Sequence, residues 1–238
     1  MTRILVDVEV QSGHSVSIAG DELHYLSAVR RHRVGDEVLL QTPAGRVFRG
    51  AVSSVGKERA DMVVAEELAP AAAASPVRIL CAVPKGNIFD DVIRQLSELG
   101  VERLTPVACA HSTASPGEAR LDRWRRIAKE SIRQCRRRTP LIVDDVTGLA
   151  DALRDAQGIR VMFHPGEGRT AAALLQSRID GPVIAAIGPE GGFSGDEVQL
   201  ALDAGFEAVC FSNLILRIET AAVAAAVLCV AITGGIDR

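Results

Sequence analysis

An α/β fold in two parts is predicted: a small β-barrel domain over residues 1–70, a linker over 71–76 and a parallel-sheet domain over 77–238. Three observations carry this expectation. The first seventy or so residues hold closely spaced β-rich runs; "APAAAASP" (69–76) is small and proline-bounded; beyond it, strand-like and helix-like segments alternate. Close strand spacing suggests a barrel or sandwich, whereas alternation implies a parallel sheet.

The β-rich runs are "TRILVDVEV", "HSVSIAG", "DEVLLQT", "RVFRGAVSSV" and "RADMVVAEEL", with one short helix-like piece, "DELHYLSAVR". After the linker, "VRILCAV" reads as a buried strand and "NIFDDVIRQLSELG" as a helix ending at Gly100. "RLTPVAC" is the next strand, followed by a basic helix. "IRVMFH", "VIAAIG" and "EAVCFS" are further strands, alternating with helices at "TAAALLQS", "GDEVQLALDAG" and the alanine-rich C-terminal run.

Hydrophobic content of 47% is ample for a core in a chain of 238 residues. The longest apolar stretch, "AAVAAAVLCVAI" (221–232), is too short and alanine-rich for a membrane span, and the N-terminus lacks a signal-peptide core. A cytoplasmic address is expected. Five cysteines lie far apart with no C-x-x-C pair, which disfavours a disulfide framework and a zinc site, so no metal is expected.

The net charge of −3 offers no global attraction to nucleic acid, but its distribution does. Residues 118–138 carry eight arginines and one lysine against three acids. On a helical wheel, Leu121, Trp124, Ala128, Ser131, Ile132 and Cys135 form one stripe. Arg123, Arg126, Lys129, Arg133, Arg136 and Arg137 fall opposite, either as a solvated face or as a surface for an anionic partner such as RNA backbone.

"GPEGGFSGDE" (188–197) breaks a strand into glycines and then starts a helix. The G-x-G-x-x-G spacing of a dinucleotide fold is missing after the first α/β strand, and no lysine follows these glycines as a P-loop requires. Missing side chains at Gly188, Gly191 and Gly192 let a ligand approach backbone, with Pro189 setting the turn. Ser194 and Glu197 form a capping box. Glu190 is a carboxylate at a strand's carboxyl end, where open α/β sheets bind ligands, or a solvated turn residue. In "FSNLILRIETAAVAAAV", Arg217 and Glu219 stand at the start of a helix and Thr220 can bond backbone or ligand.

Taken in order, "HYLSAVRRHRVGDEV", "IRQLSELGVERLTPV", "RWRRIAKESIRQCRRRTP", "AAIGPEGGFSGDE" and "LILRIETAA" resemble the 16S ribosomal RNA uridine-N3 methyltransferase family, of the SPOUT class, across nearly the whole chain. The resemblance implies a PUA-like RNA-binding barrel followed by an α/β domain with a deep trefoil knot, an exception to the avoidance of knots. It implies S-adenosylmethionine as cofactor, a homodimer, and 16S rRNA as partner, within the assembled small subunit and near the decoding site. The cofactor-binding positions it implies are His164, Pro165, Ile187, Gly188, Pro189, Glu190, Gly191, Gly192, Ser212, Leu214, Leu216, Arg217 and Thr220. For methyl transfer to N3, chemistry makes Arg217 the candidate to stabilise a developing uracilate and Glu190 or Glu219 the candidate to take the proton. For RNA contact the candidates are Arg30, Arg31, Arg33, Arg133, Arg137 and Arg138. The chain also departs from the family pattern. Ser212, Asn213 and Leu214 occupy Gly-Pro-Arg positions, Ile218 a threonine position, and Arg136 a position where glycine is common.

Overall fold

The computed structural model describes residues 1–69, 73–112, 116–166, 168–177, 181–211 and 214–234. The chain divides into two compact units, Met1–Ala73 with Ile132–Thr139, and Ala74–Ser131 with Pro140–Arg238. A short segment from mid-chain thus belongs to the N-terminal unit, which no local sequence signal announces.

In the first unit, β1 (Thr2–Leu5), β2 (Ser15–Ile18), α1 (Gly20–His24), a π-helical turn (Tyr25–Val29), β3 (Glu37–Gln41), β4 (Val47–Val55) and β5 (Ala60–Leu68) follow in order. The sheet runs β1-β3-β4-β5-β2, antiparallel except for the parallel β1/β3 pair. In β5, Ala60, Met62 and Val64 are buried, the period-2 pattern of a sheet with one face inward. Ile4, Leu26, Leu40 and Phe48 fill the core against them. Register shifts in the β4/β5 ladder at Phe48/Gly50 and Val52/Ser54 bend the long hairpin.

The second unit holds β6 (Ser75–Ala82), α2 (Ile88–Glu98), β7 (Val101–Ala108), most of α3 (Glu118–Cys135), β8 (Ile142–Val143), β9 (Thr147–Gly148) and α4 (Leu149–Arg154). It continues with β10 (Ile159–Phe163), β11 (Arg169–Thr170), α5 (Ala171–Leu175), β12 (Val183–Ile187), α6 (Gly195–Asp203), β13 (Glu207–Cys210) and α7 (Ile218–Ile232). Every pairing is parallel, in the order β11-β13-β10-β12-β6-β7-β8, with β9 also on β7. A parallel sheet covered by helices needs apolar strands on both faces, and all five residues of β12 are buried. Helix α2 buries Phe89, Val92, Ile93 and Leu96, and the Phe89 and Trp124 rings lie 4.5 Å apart. Helix α7 packs on α2, β6 and β12, where Ala222, Ala225 and Ala226 permit close approach.

Two boundaries and four short elements differ from the sequence reading. Strand β6 begins at Ser75, inside the stretch expected to be linker. Helix α3 stops at Cys135, because Arg136 adopts φ 57° and closes the end with its N–H on the Ile132 carbonyl, 2.9 Å away. Arg136 and Arg137 therefore leave the helical face on which the wheel placed them. The short pieces β8, β9 and β11 were not anticipated, since two-residue strands are held by their neighbours rather than by their own pattern, and the six-residue α4 is too short to show a helical period. Among the described residues no helix is long and apolar enough to cross a membrane.

Candidate functional site

The neighbours β13, β10 and β12 run parallel, with Phe163 in register with both Ile187 and Val209. Their carboxyl ends therefore lie side by side, and the loops that leave them converge, the arrangement that creates ligand crevices in open α/β sheets. A cavity of about 220 Å³ opens there. Phe163, Ile187 and Val209 at the strand ends form part of its lining, with Ile218 and Ala221 from the start of α7. Phe163 and Phe211 stack at 4.4 Å with their planes 10° apart.

The glycine loop lines this cavity from residue 188 to 193. Its conformation follows from a turn in which the Gly192 N–H donates to the Pro189 carbonyl at 2.8 Å. Gly192 has φ +74°, a region that side chains disfavour. Gly188 and Gly191 are small for another reason: a Cβ on the first would meet the Phe193 ring at 3.0 Å, and on the second the His111 Cβ at 3.2 Å. Packing thus explains Gly188 and Gly191, and backbone conformation explains Gly192. Helix α6 then begins with both halves of the capping box, Glu197 N–H to Ser194 Oγ at 3.2 Å and Ser194 N–H to Glu197 Oε2 at 2.8 Å.

Of the expected cofactor positions, His164, Pro165, Ile187, Gly188, Pro189, Glu190, Gly191, Gly192, Leu214 and Leu216 line the cavity together. Arg217 and Thr220 do not line it. Both are exposed, Arg217 as the N-cap residue of α7 and Thr220 in its first turn. Ser212 and Asn213 lie outside the described residues. Glu190 is exposed on the cavity wall and Glu219 is half-buried in the first turn of α7. The backbone N–H of His164 donates to the Val209 carbonyl at 3.0 Å, while its buried Nδ1 has no hydrogen-bond partner among the described residues. Sequence reasoning missed Phe163, Phe193, Val209, Phe211, Ile215, Ile218 and Ala221. Phe163 was legible as the last residue of a strand beside His164, but the pairing of Phe163 with Phe211 depends on strand order.

The expected RNA contacts divide. Arg31 and Arg33 are exposed, and Arg30 is exposed with its Nε on Thr2 Oγ1 at 3.2 Å. Arg138 is exposed, with Nε at 3.5 Å from the Ala44 carbonyl. Arg133 and Arg137 are not on a free face, which corrects the wheel. Arg133 pairs with Glu22 and lies 4.4 Å over the Tyr25 ring, while Arg137 is 5% exposed and donates to the Thr139 carbonyl at 2.5 Å. Gln41 holds the same segment by donating to the carbonyls of Arg137 (3.0 Å) and Arg138 (2.7 Å). These cations serve the packing of the first unit because a half-buried guanidinium needs a carboxylate or carbonyl partner.

A parallel α/β sheet whose adjacent strand ends close a glycine-walled, largely apolar cavity defines a small-ligand or cofactor-binding domain. Residues 72–230 match the RNA methyltransferase domain family, and the chain belongs to that family. It is similar to the ribosomal RNA small subunit methyltransferase E of a Synechocystis strain, 29% identical over 231 residues covering 92% of this chain and 74% of that protein. The protein of the same name from Mycobacterium tuberculosis is 29% identical over 229 residues, covering 92% and 87%. Among solved structures, a ribosomal RNA small subunit methyltransferase E from Neisseria gonorrhoeae bound to S-adenosyl methionine shares the fold, with a TM-score of 0.87, 24% identity and 95% of each chain covered.

Proposed function

We propose that this chain is an S-adenosylmethionine-dependent methyltransferase that modifies N3 of one uridine in 16S ribosomal RNA near the decoding site. One observation carries the reading above the others. The two segments with the most specific family resemblance, "GPEGG" and "LILRIETA", are far apart in sequence yet both contribute to the lining of one cavity at the carboxyl edge of the sheet. On the same resemblance, the first unit is a PUA-like RNA-binding domain, the second is knotted, and the enzyme acts in the cytoplasm as a homodimer on the assembled subunit.

The cavity suits the cofactor. Ile187, Leu216 and Ile218 offer apolar surface to an adenine, and loop backbone at 188–192 offers polar groups. S-adenosylmethionine, when bound, supplies a methyl group on an electrophilic sulfonium. The chain's own residues then hold the acceptor. N3 of uracil carries an imide proton that must leave as the N–C bond forms, and N3 lies on the Watson–Crick edge, so the base has to be unpaired or extruded. Arg217 carries a permanent charge and stabilises the developing uracilate at O2 or O4. Glu190 or Glu219 accepts the proton. Arg30, Arg31, Arg33 and Arg138 contact phosphates and set the register of the strand.

The test is transfer from labelled S-adenosylmethionine to small ribosomal subunits lacking the modification, read by nucleoside mass spectrometry. N3-methyluridine at a single site supports the proposal, and Arg217→Ala and Glu190→Gln then rank the catalytic candidates. RNA binding without transfer refutes it in favour of an inactive ribosome-assembly factor. Label on another atom or RNA refutes the assigned target.

A further inference from the structure

Glu197 does more than cap a helix. Its Oε2 completes the capping box, but its Oε1 accepts the backbone N–H of Ala110 at 2.7 Å, from the loop that follows β7. A cap needs only one carboxylate oxygen; here the second reaches another strand's connection. Beside it, His111 Nδ1 lies 3.0 Å from the Gly192 carbonyl. A carbonyl only accepts, so Nδ1 carries the proton and donates. Gly191 leaves room for this ring, since any Cβ there would meet His111 Cβ at 3.2 Å. The loop that makes these contacts is itself closed. Cys109 N–H donates to Ser112 Oγ and Ser112 N–H to the Cys109 carbonyl, both at 2.9 Å.

We infer that residues 109–112 are a clamp for the cofactor loop, with Glu197 and His111 as positioning residues for the cavity wall. The inference rests on the cofactor reading proposed above. The wall at 188–192 lies between the Phe193 ring, which crowds Gly188, and His111, which crowds Gly191. Both bonds to Glu197 are charge-assisted and stronger than neutral ones. A loop held in its bound shape loses less freedom when it takes a ligand, so the clamp raises affinity without touching the cofactor. Neither Glu197 nor His111 lines the cavity, which makes this role separable from direct contact.

The experiment measures S-adenosylmethionine affinity by calorimetry, and amide exchange across 188–194 in the ligand-free full chain, for Glu197→Gln, His111→Ala and His111→Asn. A glutamine can accept through only one oxygen, so Glu197→Gln leaves one N–H unpaired and is expected to weaken binding about tenfold. His111 is exposed, so His111→Ala leaves the melting temperature near the wild-type value while weakening binding about fivefold and speeding exchange. His111→Asn restores a donor and with it most of the affinity. A Ser194→Ala control removes the cap but not the bond to Ala110, lowering stability more than affinity. Unchanged affinity and exchange in both Glu197→Gln and His111→Ala overturn the clamp. If Glu197→Gln does not fold, the two His111 variants decide. If the wild type binds no S-adenosylmethionine, the cofactor reading fails, and exchange in the His111 pair still tests the clamp.

Discussion

Replacing Arg136 with glycine should stabilise the first unit. Arg136 follows the last residue of α3 with φ 57°, a conformation that costs a residue with a Cβ about 1–2 kcal/mol. Glycine removes that cost but adds about 0.4–1 kcal/mol of unfolded-state freedom, leaving a net gain of about 0.5–1 kcal/mol. A second effect has the same sign. Burial, and then the Arg136 charge, hold the Arg3 guanidinium below its ordinary pKa, so loss of the Arg136 charge relieves a repulsion. Arg136→Ala separates the two, because it removes the charge and keeps the Cβ. Urea unfolding followed by far-UV circular dichroism should show the glycine variant's midpoint rising by about 0.5 M at unchanged slope, and the alanine variant's rising by less. If alanine stabilises as much as glycine, or glycine does not stabilise at all, the backbone argument is wrong.

Gly45→Ala should be far worse than Gly192→Ala. A Cβ at Gly45 would lie 2.3 Å from Arg138 Cγ and 2.4 Å from its carbonyl oxygen, whereas at Gly192 it meets nothing within 4 Å. Thermal unfolding is expected to register a net loss of about 0.5–1 kcal/mol at Gly192, from the backbone alone, and about 3 kcal/mol or more at Gly45. Arg133→Ala should cost about 3 kcal/mol of stability by stranding Glu22. The folded variant should keep its RNA affinity, while Arg31→Ala and Arg33→Ala weaken binding and lower its salt slope by about 1 each in a filter-binding titration. Burial pushes the Cys109 and Cys229 thiols up to about 12, and Cys81 upward as well. Above the ordinary thiol pKa of about 8.5 the unfolded chain loses these protons while the folded chain keeps them. Stability should therefore be full below that pH and fall, by at most about 1.4 kcal/mol per pH unit per thiol, as pH rises towards 12. Denaturation curves between pH 8 and 11 check the sign, and a rise would refute it.

Much of the molecule was legible residue by residue, because its signals are local. Alternation in "ADMVVAEEL" marks a half-buried strand, the unbroken apolar run "VIAAI" a strand covered on both faces, and Ser194 with Glu197 a helix start. The glycine loop was expected to face a ligand from the same kind of local reading, and it lines the cavity, although the reasons for its glycines were not legible. Gly188 answers to Phe193 and Gly191 to His111, and the second of these contacts spans about eighty residues.

By itself the sequence determined the longer elements, their order, and the family through motifs whose residue types speak for themselves. Only the tertiary structure decided which strand ends become neighbours, and so which loops share a cavity. That depends on the order β13-β10-β12, which is not chain order. It likewise decided which arginines remain exposed. A helical wheel knows the angle around one axis, but not that Glu22 and Tyr25 receive Arg133, or that a left-handed residue at 136 turns the chain away before Arg137. Charge is written in the sequence, whereas its availability to a partner depends on long-range pairing, because a buried cation must find its counter-charge wherever the fold supplies one.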